Sequence, residues 1–483
     1  MTFIGGENAQ LNCEKAASLY DQFWPNKKKT TICHHRVGIP QVLIIRKPIL
    51  ETELKQKGKS STVHCVARRS NISPPSPYTT TMAQKPILIS GAGLAGLLFA
   101  RSLLRAKIPF RIFERDASLN FRGQGYRLRL SAEGLDAIES VLEPPAWEKF
   151  FDRCGKTGGQ GFTAFNAVTG EVLEQSDSLG SRGGKTIGIS RGEMRGLFYE
   201  GCEEYIEWNR NVRGYERTED GVRVVFGDGS KSEEGSMLVA AEGINSHVAK
   251  QLSGGRLKVF DVGARGIHGQ APTTAFKGLG EGVFRLTDDT RDDGRLSVIT
   301  NVRAGDMDDP NMQFGFTCIA PAAVIAAPND DYTIIGKTAA DIAKKLTQNW
   351  QPQFKSLFDN MVESESAFWK ITCSTPEGVP EWPNDSRITV IGDTVHSLTP
   401  AGGLGANTAV RDSALLGRLI TEAGGWKEGI TEQYEKEMRV YASEAVAKSY
   451  GMAKDLFKVK IEDMMTRVIQ PGELGDNRDS GRK

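Results

Sequence analysis

From residue 86 onward, short apolar runs alternate with longer stretches whose apolar residues recur at helical spacing, and this alternation predicts strands and helices in turn. PILIS (86–90) predicts a buried strand, Leu94 to Ala106 a helix, and FRIFE (110–114) a second strand. Strand–helix–strand over so short a span implies a parallel pair. Further along, GVRVVFGDGS (221–230) predicts part of a hairpin and MLVAA (237–241) another core strand. Residues 255–335 hold short strand-like segments between turn residues, as a sheet-based second lobe would. Residues 338–362 predict helix, and RITVIGD (387–393) a buried strand running into a loop. From 428 to about 468 the period is again helical, with Tyr434, Met438, Tyr441 and Ala445 in a stripe suited to core packing. The expected fold class is α/β: a Rossmann-like domain with an inserted β-sheet domain and a C-terminal helical segment.

Residues 1–81 break this pattern. They show no sustained periodicity and end in SNISPPSPYTTT, a Pro/Ser/Thr-rich linker before Met82. They carry 12 Lys and Arg against 5 Asp and Glu, while the rest of the chain carries 49 against 55. We read them as a poorly ordered leader or gene-model extension, with an organellar targeting peptide as the second reading. Cys33-His34-His35 and His64-Cys65 are separated by a gap that fits no common zinc finger, so no metal is expected. Seven cysteines without framework spacing favour a reducing, cytoplasmic setting. A net charge of +1 gives no support for a nucleic-acid partner. No apolar run approaches the ~18–20 residues of a membrane span.

The strongest local motif is Gly91-Ala92-Gly93-Leu94-Ala95-Gly96, directly after a strand and opening a helix. Gly91 permits the tight turn, Gly93 lets backbone approach a pyrophosphate, and Gly96 allows close helix–strand packing. The phosphate would sit at the helix N-terminus. Glu114, followed by Arg115, ends the next strand, where a carboxylate accepts hydrogen bonds from ribose hydroxyls. The motif alone leaves open whether the dinucleotide is FAD or NAD.

A second segment narrows that choice. Arg387 to Asp412 reads as a buried strand ending at Gly392-Asp393, then a Pro/Gly-rich loop, then a helix starting near Gly405. This strand–GD–x–x–H–x–x–x–P–x–x–G–x–G–x–N pattern resembles the third motif of the class A flavin monooxygenases, which have the fold of para-hydroxybenzoate hydroxylase. The likeness covers about 86–470. It implies that FAD is the bound cofactor, with Asp393 on its ribityl or pyrophosphate portion. Pro400, Gly402, Gly403, Leu404, Gly405, Ala406 and Asn407 would line or approach the flavin ring. It also implies that Arg191, at the start of a helix, reaches back to FAD, that Gln124-Gly125 passes near the flavin, and that His396 supports the loop. The middle motif departs from the pattern: Ala241-Glu242-Gly243-Ile244-Asn245-Ser246-His247-Val248-Ala249-Lys250 has Glu where the family has Asp, and Ala249 where it has Arg. Lys250 is a candidate substitute, as a point charge without a fork.

On this likeness the chain divides into FAD-binding parts at 82–159, 186–254 and 381–425. Substrate-domain segments fall at 160–185 and 255–380, C-terminal helices at 426–470 and a polar tail at 471–483. The pocket would draw on 160–185 and 255–380, where Phe284, Phe314, Phe316, Phe368 and Trp369 are available, although single aromatics are more often core. The resemblance implies a monooxygenase with NAD(P)H as transient co-substrate, in which reduced flavin and O2 form a C4a-hydroperoxide that hydroxylates or epoxidises an electron-rich, aromatic natural-product-like molecule. Alternatives are a Baeyer–Villiger or other FAD oxidoreductase of the same fold, or a redox-sensing flavoprotein without turnover. A chain starting at Met82 is expected to give soluble, flavin-loaded protein. Loss of either property on removing 1–81 would make the leader part of the fold.

Overall fold

The computed structural model describes residues 84–119, 127–158, 161–176, 180–309 and 311–457. All belong to the unit Met82–Lys483. The leader 1–81, Gln124-Gly125 and the tail 471–483 lie outside the described residues. The chain enters through β1 (Ile87–Ser90), α1 (Leu94–Ala106) and β2 (Phe110–Phe113), the unit expected from the apolar spacing. Next come β3 (Arg127–Leu130), α2 (Ala132–Val141), α3 (Pro144–Arg153), β4 (Gly155–Thr157), β5 (Phe162–Asn166), β6 (Val172–Ser176), β7 (Thr186–Ser190) and α4 (Arg191–Tyr199). They lead to β8 (Ile206–Glu207), β9 (Val212–Arg217), β10 (Val222–Phe226), β11 (Met237–Ala240) and α5 (His247–Leu252). The second half holds β12 (Val259–Pro272), β13 (Gly282–Asp288), β14 (Leu296–Val302), β15 (Gln313–Pro321), α6 (Lys337–Leu346), α7 (Pro352–Asp359), β16 (Ala367–Ser374), β17 (Ile388–Val390), α8 (Gly405–Ala423) and α9 (Ile430–Phe457).

Five strands form a parallel sheet in the order β17-β11-β1-β2-β8. β1, β11 and β17 are buried along their whole length, which is why they read as unbroken apolar runs. The register sets Ser90 beside Ala240 and Ala240 beside Val390. The three motifs that begin at Gly91, Ala241 and Ile391 therefore leave the sheet side by side, although about 150 residues separate each from the next.

The second large sheet has seven strands in the order β16-β12-β15-β14-β13-β5-β6, antiparallel except at β13–β5. One face holds Phe276, Phe284, Phe314, Phe316 and Phe368 against Phe354 and Phe358 of α7, so four of the five candidate pocket aromatics are core. The other face holds a smaller cluster of Val262, Ala264, Ile371 and Cys373, with Trp369 beside it, packed on Ala401 and on Val446 and Ala453 of α9. A third sheet, β3-β7-β4, is antiparallel.

Three sequence expectations need correction. The region 255–335 is not made of short segments: β12 runs 14 residues, continuous through a register shift between Asp261 and Arg265. The Asp261 carboxylate accepts from both Arg265 NH1 (2.7 Å) and NH2 (3.0 Å), and from Gly263 N (2.9 Å), so side chains satisfy the irregularity. The helix over 338–362 is two helices, because Pro352 lacks the N–H to continue one and instead opens the next. On α9 the buried stripe is Tyr434, Met438, Ala442, Val446 and Ala453, while Tyr441 and Ala445 sit at its edge.

The Asp261–Arg265 pair is 1% and 5% exposed. Arg265→Met should leave an uncompensated buried carboxylate and cost about 3–5 kcal/mol of stability, read by denaturant unfolding.

Candidate functional site

The turn after β1 has the geometry its glycines require. Gly91 has φ +104, and a Cβ there would stand 2.4 Å from Ala241 O. At Gly96 a Cβ would stand 2.1 Å from Gly91 O, so α1 packs on the turn with no space for a side chain. Gly93 differs: a Cβ would meet only Ala241 O, at 3.9 Å, so the space above it is open. Gly93 also caps α1 without a side-chain hydrogen bond, and no acidic residue lies in the first turn. The helix start at Leu94 and Ala95 thus keeps N–H groups available to an anion. Glu114 is buried. Its Oε2 accepts from Ala92 N (2.7 Å) and its Oε1 from Asp116 N (3.0 Å), which fixes the carboxylate beside the turn with lone pairs to spare.

Arg195, which sequence reasoning passed over, stands behind this arrangement. It is 4% exposed, donates from Nε to Ala92 O (2.8 Å) and from NH1 to Leu119 O (2.8 Å), and lies 3.9 Å from Glu114. Its four-residue spacing from Arg191 on α4 was the available signal. Arg115 is exposed, and its charge is felt by Glu242 across the mouth of the turn.

The middle motif turns its acid inward. Glu242 accepts from Ser90 Oγ (2.6 Å), from Ser246 Oγ and from Val248 N (3.4 Å), and burial pushes its carboxyl up. The Glu that replaces the family's Asp therefore ties the end of β1 to the start of α5. Ala249, where the family has Arg, is 4% exposed. Lys250 is exposed in the last turn of α5.

After β17, Gly392 (φ +64) packs against the first turn of α1, where a Cβ would stand 3.0 Å from Ala95 Cβ. Thr394 Oγ1 accepts from Gly243 N (2.8 Å), joining the middle and last motifs. Within this turn Gly392, Thr394, Val395 and His396 are buried, but Asp393 is exposed. Desolvation by the protein walls nonetheless raises its carboxyl pKa, with His396 and Arg191 pulling the other way. Arg191, the first residue of α4, faces it electrostatically.

Pro400 opens the loop, and Gly402 (φ +78) and Gly403 (φ +61) follow in left-handed backbone before Leu404 and Gly405 start α8. α8, like α1, has no side-chain cap and no acid in its first turn. The loop is braced from three sides. Thr399 and Ser449 of α9 bond at 2.7 Å, Ser397 N donates to Ser374 Oγ at the end of β16 (2.7 Å), and Arg129 NH2 donates to Gly402 O (3.2 Å). Ala406 is half-buried in the first turn of α8. The side-chain amide of Asn407, in the first turn of α8, is used on protein. Oδ1 accepts from Ser131 N (2.8 Å), and Nδ2 donates to Arg129 O (2.9 Å) and Gly403 O (2.8 Å). It is a strut between β3 and α8.

His396 is fully buried, and its Nε2 lies 2.6 Å from Asp412 Oδ2. The same oxygen accepts from Gly392 N (2.7 Å), and Oδ1 accepts from Tyr441 OH (2.6 Å). Tyr441, read as part of a packing stripe, is thus a polar partner of the site's framework. Asp412 had no sequence signal beyond its place on the helix. Among the described residues no group of three or more His, Cys, Asp or Glu is placed to hold a metal ion, and no helix is long and apolar enough to cross a membrane.

The chemistry of this donor set fits a dinucleotide bearing a flat ring: an uncapped helix start above open space, a carboxylate beside it, an exposed acid on the adjoining turn, and a glycine loop leading to a second uncapped helix. The fold is that of the class A flavin monooxygenases, typified by para-hydroxybenzoate hydroxylase. Residues 199–449, more than half of the chain, match the FAD binding domain family, and the chain belongs to that family. The dual O-methyltransferase/FAD-dependent monooxygenase CTB3 of Cercospora beticola is 26% identical over 418 residues, 79% of this chain and 47% of its own length. The chain thus spans about half the length of the first such relatives. The FAD-dependent monooxygenase thnD of Trichoderma harzianum is 24% identical, covering 69% of this chain and 82% of its own. Among solved structures, Klebsiella pneumoniae HpxO complexed with FAD and uric acid superposes with a TM-score of 0.61 at 19% identity, over 76% of this chain and 88% of its own.

Asp393→Ala should strongly weaken FAD retention, measured as flavin per protein after gel filtration. Full occupancy would remove Asp393 from the cofactor site. Asp412→Asn should cost about 1–3 kcal/mol of stability, because one amide oxygen cannot serve three donors. Burial alone would lower the His396 pKa, but the Asp412 carboxylate outweighs it and the net shift is upward. The stability from that pair is fully present below the ordinary histidine value of about 6.5 and is lost as pH rises through the raised folded-state value. Thermal unfolding should therefore fall more steeply with rising pH in wild type than in Asp412→Asn.

Proposed function

We propose that this protein is a FAD-dependent monooxygenase that uses NAD(P)H and O2 to place one oxygen atom on an electron-rich organic substrate, aromatic and natural-product-like. The observation that carries the reading is the convergence of three motif turns at one sheet edge: Gly91 packs on Ala241, Gly243 N donates to Thr394 Oγ1, and Gly392 packs on Ala95 at the uncapped start of α1, with Asp393 exposed beside it. FAD, when bound, supplies electron transfer and oxygen activation, while the protein supplies orientation and electrostatics. The start of α1 receives the pyrophosphate and Glu114 the ribose of the adenosine half. Asp393 and Arg191 hold the ribityl and pyrophosphate region, and Pro400 to Gly405 offers backbone to the flat ring. The start of α8 favours negative charge at the ring's edge. Relatives such as thnD, which the chain matches over most of their length, bear the name FAD-dependent monooxygenase and support this reading.

Purified protein is expected to be yellow and to release FAD, not FMN, on denaturation. Some member of a panel of phenols and indoles should stimulate NAD(P)H oxidation and gain a single 18O atom from 18O2. A flavin-loaded protein that oxidises no NAD(P)H with any of them would favour redox sensing without turnover.

A further inference from the structure

Successive side chains of β3 point to opposite faces. Leu128 and Leu130 join the core of the parallel sheet, so Arg127 and Arg129 share the other face. Arg129 touches the glycine loop at Gly402. Arg127, a two-residue step of about 6–7 Å along the strand, donates from NH2 to Gly188 O at 3.3 Å. Its Nε is buried and has no hydrogen-bond partner among the described residues.

Arg303 arrives from the seven-stranded sheet, just past the end of β14. It is 5% exposed and lies on Gly155, where a Cβ would stand 2.4 Å from its Cδ and 2.6 Å from Nε and NH1. Its Nε pairs with Asp306, NH2 lies 3.9 Å from Met312 Sδ, and Phe314 stands 5.3 Å from the guanidinium carbon. NH1 is buried and, among the described residues, has no acceptor. Thr157 and Asn301, bonded at 2.7 Å, join the two sheets nearby.

Gly188, whose carbonyl Arg127 holds, pairs with Gly155 across β7 and β4, and Arg303 lies on Gly155, so the backbone brings the two guanidinium groups to the same pair of glycines. Arg127 is lowered to about 10, first by burial and then by the charge of Arg303. Buried N–H groups of charged side chains rarely go without an acceptor, because the desolvation cost is then uncompensated. Here two such groups, one from each sheet, meet beside the strand that touches the glycine loop. Asp306 offsets one of the two positive charges, and Glu193, the other nearby acid, pairs with Arg153 at 3.7 Å. The remaining charge suits a monoanion better than a phosphate dianion, and planar guanidinium forks suit a planar group.

We propose that Arg127 and Arg303 together bind an anionic oxygen group of the substrate, a carboxylate or an ionised phenol or enol, and so anchor its ring near the glycine loop. This rests on the monooxygenase reading, and it narrows the substrate to acidic molecules.

The test uses FAD-loaded protein and matched probes. One pair is 2-naphthoate and its methyl ester, and the other is 4-nitrophenol, ionised at alkaline pH, and 4-nitroanisole. Binding is followed by the change in flavin absorbance. At least one acid should bind about tenfold more tightly than its neutral partner. The responding pair tells carboxylate from phenolate. Arg127→Gln and Arg303→Gln should each bring the preference to within about twofold while FAD stays bound. If a glutamine variant does not fold, the lysine variant at that position serves, since it keeps the charge but loses the fork and should weaken the preference. Equal affinity for acid and neutral probes, or a preference that survives both substitutions, would overturn the proposal. Flavin-loaded protein that turns over neutral phenols without acid preference defeats the arginine proposal alone. Protein that holds no FAD defeats the monooxygenase reading, and the acid preference is then read by thermal shift.

Discussion

The site depends on one buried carboxylate. Asp412 receives Gly392 N–H, His396 Nε2 and the Tyr441 hydroxyl, and so fixes the turn between β17 and the glycine loop against α8 and α9 at once. A carboxylate suits this place because it only accepts and offers several lone-pair sites. With the turn held, Asp393 is left exposed between buried neighbours, and Gly392 stays pressed on α1 beside Ala95. The exposed acid is therefore positioned by the buried one. The middle motif repeats the device on a smaller scale: Glu242, turned inward on Ser90 and Ser246, leaves its neighbours Gly243 and Thr394 to join the motifs.

Much of this was legible in the sequence because it rests on local rules. The glycine turn, α1 and the strands on either side follow from apolar spacing and from glycines whose absent side chains leave room for backbone. The run from Gly392 to Gly405 was readable because its residue types serve particular backbone shapes. What stayed hidden depends on partners far away in sequence. That the Asn407 amide joins Ser131 to Arg129 is visible only once β3 and α8 are packed together. Arg195 and Asp412 look like ordinary helix residues until the elements they brace are in place. The aromatics of the substrate sheet were ambiguous for the same reason. Neighbours such as Phe368 and Trp369 fall on opposite faces, and only the packed sheet shows that the first is core.

Charge is distributed by the same logic. The start of α1 carries no side-chain cap, and Arg195 stands behind the turn as a brace. Serines cap three other helices, where Ser131, Ser190 and Ser246 each accept from their own first turn, while α3, α6 and α7 also start without a side-chain cap. Where the two sheets meet, the arginines come forward instead, and their buried N–H groups define the polarity of that side.

The strand order also governs how the molecule comes into being. The parallel sheet takes β1 and β2 early, β8 and β11 midway, and β17 only at residue 388, while the seven-stranded sheet is threaded through the gaps. Neither lobe is a contiguous stretch of chain, so neither can be exchanged as a cassette. At ribosomal speeds of roughly 5–20 residues per second, the ~300 residues between the first glycine turn and Asp393 take about 15–60 s to appear. β1 waits throughout that interval and β11 through its second half, apolar and with one sheet edge open, for the strand that completes the cradle. The nascent chain is thus most in need of protection just before it can first hold its nucleotide.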